Sequence, residues 1–162
     1  MSNTLIDQNF QKCLEKAIDY LSRRDHSTKE LSDKLNKKHF EKELIEKTLA
    51  WLTERGYLRP PKELSQLFAD QLFKKGKGRH YISQYLKKRG LPPPEDLDHE
   101  AELQSALELA HKIAKQKNLQ IQNKELDRLT REKIGRKLMS RGFPLDIVRK
   151  VIYEKLNNDD EA

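Results

Sequence analysis

The side chains best equipped for chemistry lie in residues 74–91, KKGKGRHYISQYLKKRGL. Lys74, Lys75, Lys77, Arg79, Lys87, Lys88 and Arg89 place seven positive charges there, with no acid between them. What they offer is the holding of an anion, not the making of bonds. The stretch Lys75-Gly76-Lys77-Gly78-Arg79 has the composition of a phosphate-cradling loop. It lacks the pattern G-x-x-x-x-G-K-[ST], and no strand is predicted before it. A second basic set comprises Arg128, Arg131, Lys133, Arg136, Lys137 and Arg141. On a helix, residues three or four apart share a side. Arg128, Arg131 and Lys124 then form one ridge, and Lys133, Arg136 and Lys137 another. The two sets together are the expected binding stripe for a partner protein or DNA. Tyr81 and Tyr85, at i and i+4, suit a core face better than a platform for bases.

Other chemistries find little support. His26, His39, His80, His99 and His111 include no H-x-x-x-H pair, so no metal site is expected. Cys13 is the only cysteine, which precludes an intramolecular disulfide and reads as a structural thiol. Glu95, Asp96, Asp98, Glu100 and Glu102 lack the glycine and spacing of a calcium loop and read as an acidic helix start. With no nucleophile–base constellation, neither an enzyme nor a cofactor is expected.

These residues must be positioned by helices. Charged residues make up 36% of the 162 residues and apolar ones 35%, with only six Gly and six Pro. That is too polar for one large core, yet the apolar residues are regularly spaced, which points to small helical bundles or a helical array. The net charge of +7 favours an anionic partner. No apolar run approaches a membrane span, and the N-terminal residues have no secretory-signal pattern, so a cytoplasmic protein is expected.

Apolar spacing predicts helices over 11–24, 28–38, 41–55, 63–75, 79–89, 101–117, 124–141 and 144–157. The faces include Ile18 in the first, Leu126 and Leu129 in the seventh, and Leu145 and Leu156 in the last. Ser27 three residues before Glu30 is a capping box. Gly56, Gly90 and Gly142 stand where helices stop. Residues 1–10, 118–123 and 158–162 read as frayed or loop-like. Three segments align: LSDKLNKKHF (31–40), ISQYLKKRGL (82–91) and IGRKLMSRGF (134–143). Each has an aliphatic residue, another four later, and an apolar residue five after that. The stop position is His39, Gly90 or Gly142, so His39 takes the left-handed conformation or its helix ends differently. In the middle copy Asp96 and Glu100 replace Ile45 and Leu49, so its third helix is irregular. The expected fold is all-α, an elongated array of three tandem three-helix repeats over 11–59, 62–100 and 101–157.

The segments LSRRDHSTKELSDKL (21–35), LTERGYL (52–58), LFADQLFKKGKGRHYISQYLKKRGL (67–91) and RKLMSRGF (136–143) resemble the bacterial RecX regulatory protein family. The resemblance runs in order over nearly the whole chain. It departs where Arg59-Pro60-Pro61 replaces an acidic pair and where Pro92-Pro93-Pro94 opens the acidic run. It implies three tandem three-helix repeats in a monomeric, cytoplasmic, non-enzymatic protein. It also implies binding to the RecA recombinase filament and inhibition of its ATPase, strand-exchange and coprotease activities. DNA, single- or double-stranded, is the weaker expected partner, and no membrane is expected. The competing reading is a direct nucleic-acid binder of helix-turn-helix type. Basic residues spread over several helices suit phosphate contact better than base readout by one recognition helix.

Overall fold

The structure is a computed structural model that describes residues 2–94, 97–115 and 128–155. The described residues fold as eight α-helices: α1 (Ser2–Arg23), α2 (Thr28–Asn36), α3 (Lys42–Glu54), α4 (Pro61–Lys74), α5 (Arg79–Lys88), α6 (His99–Lys115), α7 (Arg128–Ser140) and α8 (Leu145–Lys150). A π-helical turn continues α8 over Val151–Lys155. The fold is all-α, and none of these helices is long and apolar enough to cross a membrane.

Several expected boundaries move. α1 starts at Ser2 rather than at residue 11. Phe10, placed before the predicted start, packs against the first core with the Lys47 ammonium over its ring. α6 starts at His99 because Asp98 caps it: its carboxylate accepts the Glu100 N–H at 2.9 Å and its carbonyl the Glu102 N–H at 3.0 Å. No helix lies among the described residues between Leu91 and Asp98, where the third helix of the middle repeat is expected to be irregular. Expectations on Glu95, Asp96, 118–127 and 156–162 lie outside the described residues.

The chain divides into two compact units. The first holds residues 1–65 and 86–93, the second 66–85 and 94–162, so α5 lends its ends to different units. In the first unit, α1, α2 and α3 close over Cys13, Leu14, Ala17, Leu31, Leu35, Ile45, Leu49, Leu52 and Leu58. Ile18, expected on that face, is 37% exposed. In the second unit, Leu103, Ala106 and Ala110 of α6 meet Ile134 and Leu138 of α7, with Phe143, Ile147, Val148, Val151 and Ile152. Leu129 (74% exposed) and Leu145 (49%) leave that core. On α7 the buried positions are Thr130, Ile134 and Leu138, which are i, i+4 and i+8, together with Gly135. Leu129 lies one residue, about 100°, away from that line and shares the outer face with Lys133 and Arg136.

The repeated stop is a shared hydrogen-bond pattern. His39 (φ 63°), Gly90 (67°) and Gly142 (87°) are all left-handed. The next residue in each copy donates its N–H back to the second aliphatic position: Phe40 to Leu35 at 3.4 Å, Leu91 to Leu86 at 3.0 Å, Phe143 to Leu138 at 3.2 Å. The stop residues donate to Asn36, Lys87 and Met139 at 2.9, 3.1 and 2.9 Å. This pair of bonds satisfies carbonyls that a helix end otherwise leaves unpaired. His39 therefore adopts the conformation that glycine takes in the other two copies.

Candidate functional site

Each unit contains a docking of one helix start on one helix stop, and the two dockings are in register with the repeat. In the first unit, Ser27 caps α2 in the expected box: it accepts the Glu30 N–H at 3.1 Å, and Glu30 accepts the Ser27 N–H at 3.1 Å. The Ser27 hydroxyl also donates to the Arg89 carbonyl at 2.6 Å. In the second unit, Gly78 donates its N–H to the Arg141 carbonyl at 3.0 Å, and His80 donates to the Gly142 carbonyl at 3.0 Å. Ser27 and Gly78 hold equivalent repeat positions, as do Arg89 and Arg141. The backbones at Gly78 and Gly142 are so close that a Cβ on Gly78 would stand 2.4 Å from the Gly142 carbonyl oxygen. Gly78 of the KGKG stretch therefore serves a backbone-to-backbone contact, while Gly76 takes a left-handed conformation with φ of 66°. The loop does not form a phosphate cradle.

Several residues of the expected basic stripe are already engaged. Arg79 opens α5 and is held by Glu102 of α6, whose carboxylate is fully buried. Glu102 accepts the Arg79 backbone N–H at 2.7 Å and its Nε–H at 2.6 Å. It thus caps a positive helix end and pairs a guanidinium at once. Glu102 was expected in a solvated acidic run, and its partner stands 23 residues away, beyond the reach of local spacing rules. In the first unit, Arg89 pairs with Glu30 at 2.9 Å, and Arg24 pairs with the same carboxylate at 3.1 Å. Burial by itself raises the Glu30 carboxyl. The Ser27 N–H, the Arg24 bond and the Arg89 and Arg24 charges outweigh it and hold the carboxyl below its ordinary value. Arg79 and Arg89 are thus structural ion-pair partners.

The remaining basic residues fall in separate places. Lys87 and Lys88 are exposed at the end of α5 and have no ion pair among the described residues. Lys77 is half-buried with its ammonium 4.0 Å from the centre of the Tyr81 ring. Tyr81 stacks on Tyr85, which meets Phe68 edge-on, so the tyrosines extend the packing of the second unit. On α7, Lys133, Arg136 and Lys137 are exposed on one face. Arg128 pairs with Glu132 at 3.0 Å, and Arg131 lies against the Tyr153 ring.

Four stripe residues do converge. Lys74 and Lys75 at the end of α4, Lys137 of α7 and Arg141 just past its end border one cleft of about 440 Å³ in the second unit. α6 completes it with Lys112 and Glu108, and the half-buried Phe73, Leu109 and Ile113 supply apolar lining. Arg141 donates from Nη1 to the Lys75 carbonyl at 3.4 Å, and Ser105 donates to the Phe73 carbonyl at 3.0 Å, tying three helix segments together. Lys112 was not anticipated. It lies in a helix of mixed charge, and only the fold brings it beside the other four.

The sequence matches two family descriptions: "RecX, first three-helix domain" over residues 13–52 and "RecX, third three-helix domain" over residues 100–152. "Regulatory protein RecX" of Clostridium perfringens strain SM101 is 28% identical over 156 residues, covering 94% of this chain and 73% of the relative. The protein of the same name from Clostridium botulinum strain Alaska E43 is 30% identical over 152 residues, covering 90% and 69%. The crystal structure of RecX from Lactobacillus salivarius superposes with a TM-score of 0.77 at 22% identity, over 93% of this chain and 98% of that one, which is agreement in fold.

Proposed function

The chain belongs to the RecX family, and from that premise we propose that it regulates the RecA recombinase by binding its filament. In this reading it lowers the filament's ATPase, strand-exchange and coprotease activities during recombination, DNA repair and the SOS response. It acts in the cytoplasm as a monomeric, non-enzymatic protein of three repeats, over 11–59, 62–100 and 101–157. The observation that carries the reading is the match to relatives called regulatory proteins over nearly the whole chain. Lys87 and Lys88 support it, because exposed cations with no ion pair among the described residues can meet an acidic protein surface. Arg89 is better left out of that surface, since Glu30 already holds it.

The test is a titration of ATP hydrolysis by a preformed recombinase–DNA filament. Hydrolysis should slow at concentrations well below those at which the protein occupies bare DNA of the same sequence. Lys87→Glu with Lys88→Glu should shift the midpoint upward and flatten its salt dependence. Inhibition that merely tracks occupancy of bare DNA would point instead to a competitor for DNA.

A further inference from the structure

The second unit carries an unbalanced charge in one recess. Lys74, Lys75, Lys112, Lys137 and Arg141 border the cleft around the end of α4, the middle of α6 and the end of α7, with Glu108 as its one carboxylate. That carboxylate already accepts from Gln104 at 3.4 Å, and none of the four lysines has an ion pair among the described residues. Like charges crowded round a concavity repel one another and draw in an anion. The chain itself carries such an anion. No basic residue follows Lys155, and Asp159, Asp160 and Glu161 stand in a row. We propose that this acidic segment folds back onto the cleft and closes it to other anions, as a tethered autoinhibitor.

Charge and reach both support this occupant. Five cations and Glu108 leave the cleft at +4, and the three acids of the segment bring −3. The other acidic run is engaged around α6: Asp98 caps that helix, Glu100 lies in its first turn and Glu102 holds Arg79. The π-helical turn lies along α7. Ile152 packs beside Gly135, where an added Cβ would stand 3.1 Å from its Cδ1, and the Tyr153 ring lies against Arg131. The chain therefore leaves Lys155 near the level of Arg131. Lys137 stands six residues further along α7, about 9 Å by the helical rise. Packed helices lie about 8–10 Å apart. An extended chain covers up to about 3.3–3.6 Å per residue, so acids four to six residues past Lys155 reach roughly 13–20 Å. That spans the distance back to Lys137 and the cleft beside it. Tethering supplies the rest, because a segment on a short leader meets its site at a high effective concentration.

The test needs no recombinase and can fail without touching the filament reading. The full chain and an Asp159→Asn, Asp160→Asn, Glu161→Gln variant are pulsed with limiting acetic anhydride, and each lysine's acetylation rate is read by peptide mass spectrometry. Neutralising the segment should raise the rates of Lys112 and Lys137 roughly three- to tenfold, with Lys87 and Lys88 in the other unit unchanged. The difference should vanish in 1 M potassium chloride. Inorganic polyphosphate, added as an external polyanion, should protect the same two lysines at a concentration lower in the variant by the same factor, since a tethered competitor has been removed. The charge-preserving variant Asp159→Glu, Asp160→Glu, Glu161→Asp should behave as the natural chain. Equal rates at Lys112 and Lys137 in both chains would overturn the proposal. So would a rise confined to Lys133, which places the segment on the outer face of α7, or protection that disappears on dilution, which places it on a second copy. Equal polyphosphate midpoints would show that the segment does not close the cleft.

Discussion

At the scale of single residues, the left-handed stops make opposite demands on their side chains. At Gly142 a Cβ would stand 2.4 Å from the Tyr81 nitrogen, on a backbone with φ of 87°. Neither neighbour is a flexible side chain, so the backbone must shift. Gly142→Ala should cost about 2–3 kcal/mol in urea unfolding. His39 has the same backbone conformation and is exposed. His39→Gly relieves the left-handed strain and should stabilise by about 0.5 kcal/mol, after glycine's extra unfolded-state entropy is subtracted. A destabilised His39→Gly would mean that the imidazole makes contacts worth more than the strain. His26 allows a pH argument. It is 4% exposed, and its Nδ1 lies 2.9 Å from the Arg24 carbonyl, so that nitrogen carries the proton. Burial lowers its pKa; the Arg24 hydrogen bond and Glu30 oppose this, while the Arg24 and Lys34 charges add to it. A depressed folded-state pKa means that the unfolded chain takes up the proton first as pH falls. Stability is therefore full above about 6.5 and declines below it. His26→Asn retains an N–H for the carbonyl and should flatten melting temperature between about pH 7 and 5.

At the scale of elements, helix ends explain more of this fold than helix bodies do. The N-terminus of α5 is completed by Glu102, which takes one orphan N–H, and by Gly142, which takes another. Glu102→Ala leaves the Arg79 N–H and guanidinium without their acceptor. Breaking a buried pair costs roughly 3–5 kcal/mol, but Arg79 is 35% exposed and water recovers part of that. A loss of about 2 kcal/mol in urea unfolding is expected, with a smaller loss for Glu102→Gln, which keeps an acceptor oxygen. Ends are also where the sequence was most legible. The Ser27–Glu30 box and the stops at His39, Gly90 and Gly142 depend on local spacing, and all have the expected geometry. The faces of α7 and α8 were less legible, because Leu129 and Leu145 are apolar residues that packing does not use. The site was legible only in part. Counting charge by segment found Lys74, Lys75, Lys137 and Arg141. It could not see that Glu102 and Glu30 neutralise Arg79 and Arg89, nor that Lys112 joins the cleft, because those pairings are tertiary.

At the scale of the whole molecule, the division into two compact units makes a prediction about cooperativity. In arrays of small repeats, stability is approximately a sum of unit terms and neighbour terms, and a local lesion need not unfold everything. The equivalent dockings, Ser27 on Arg89 in one unit and Gly78 on Arg141 in the other, allow matched lesions. Ser27→Ala removes a 2.6 Å hydrogen bond and a helix cap and should cost about 1–2 kcal/mol. Gly78→Ala drives a methyl into the Gly142 carbonyl and the Phe143 nitrogen, both 2.4 Å away. Native-state hydrogen exchange should then show faster exchange at Leu31, Leu35 and Leu49 in the first variant, with Ile134, Leu138 and Val148 little changed. The second variant should show the reverse. The amides near Ile82 and Leu86 on α5 are the informative ones, since that helix is divided between the units. If they respond to both lesions while the flanking cores respond to one each, α5 couples two separately stable units. If every protected amide accelerates equally in either variant, the chain unfolds as one cooperative body and the two-unit account fails.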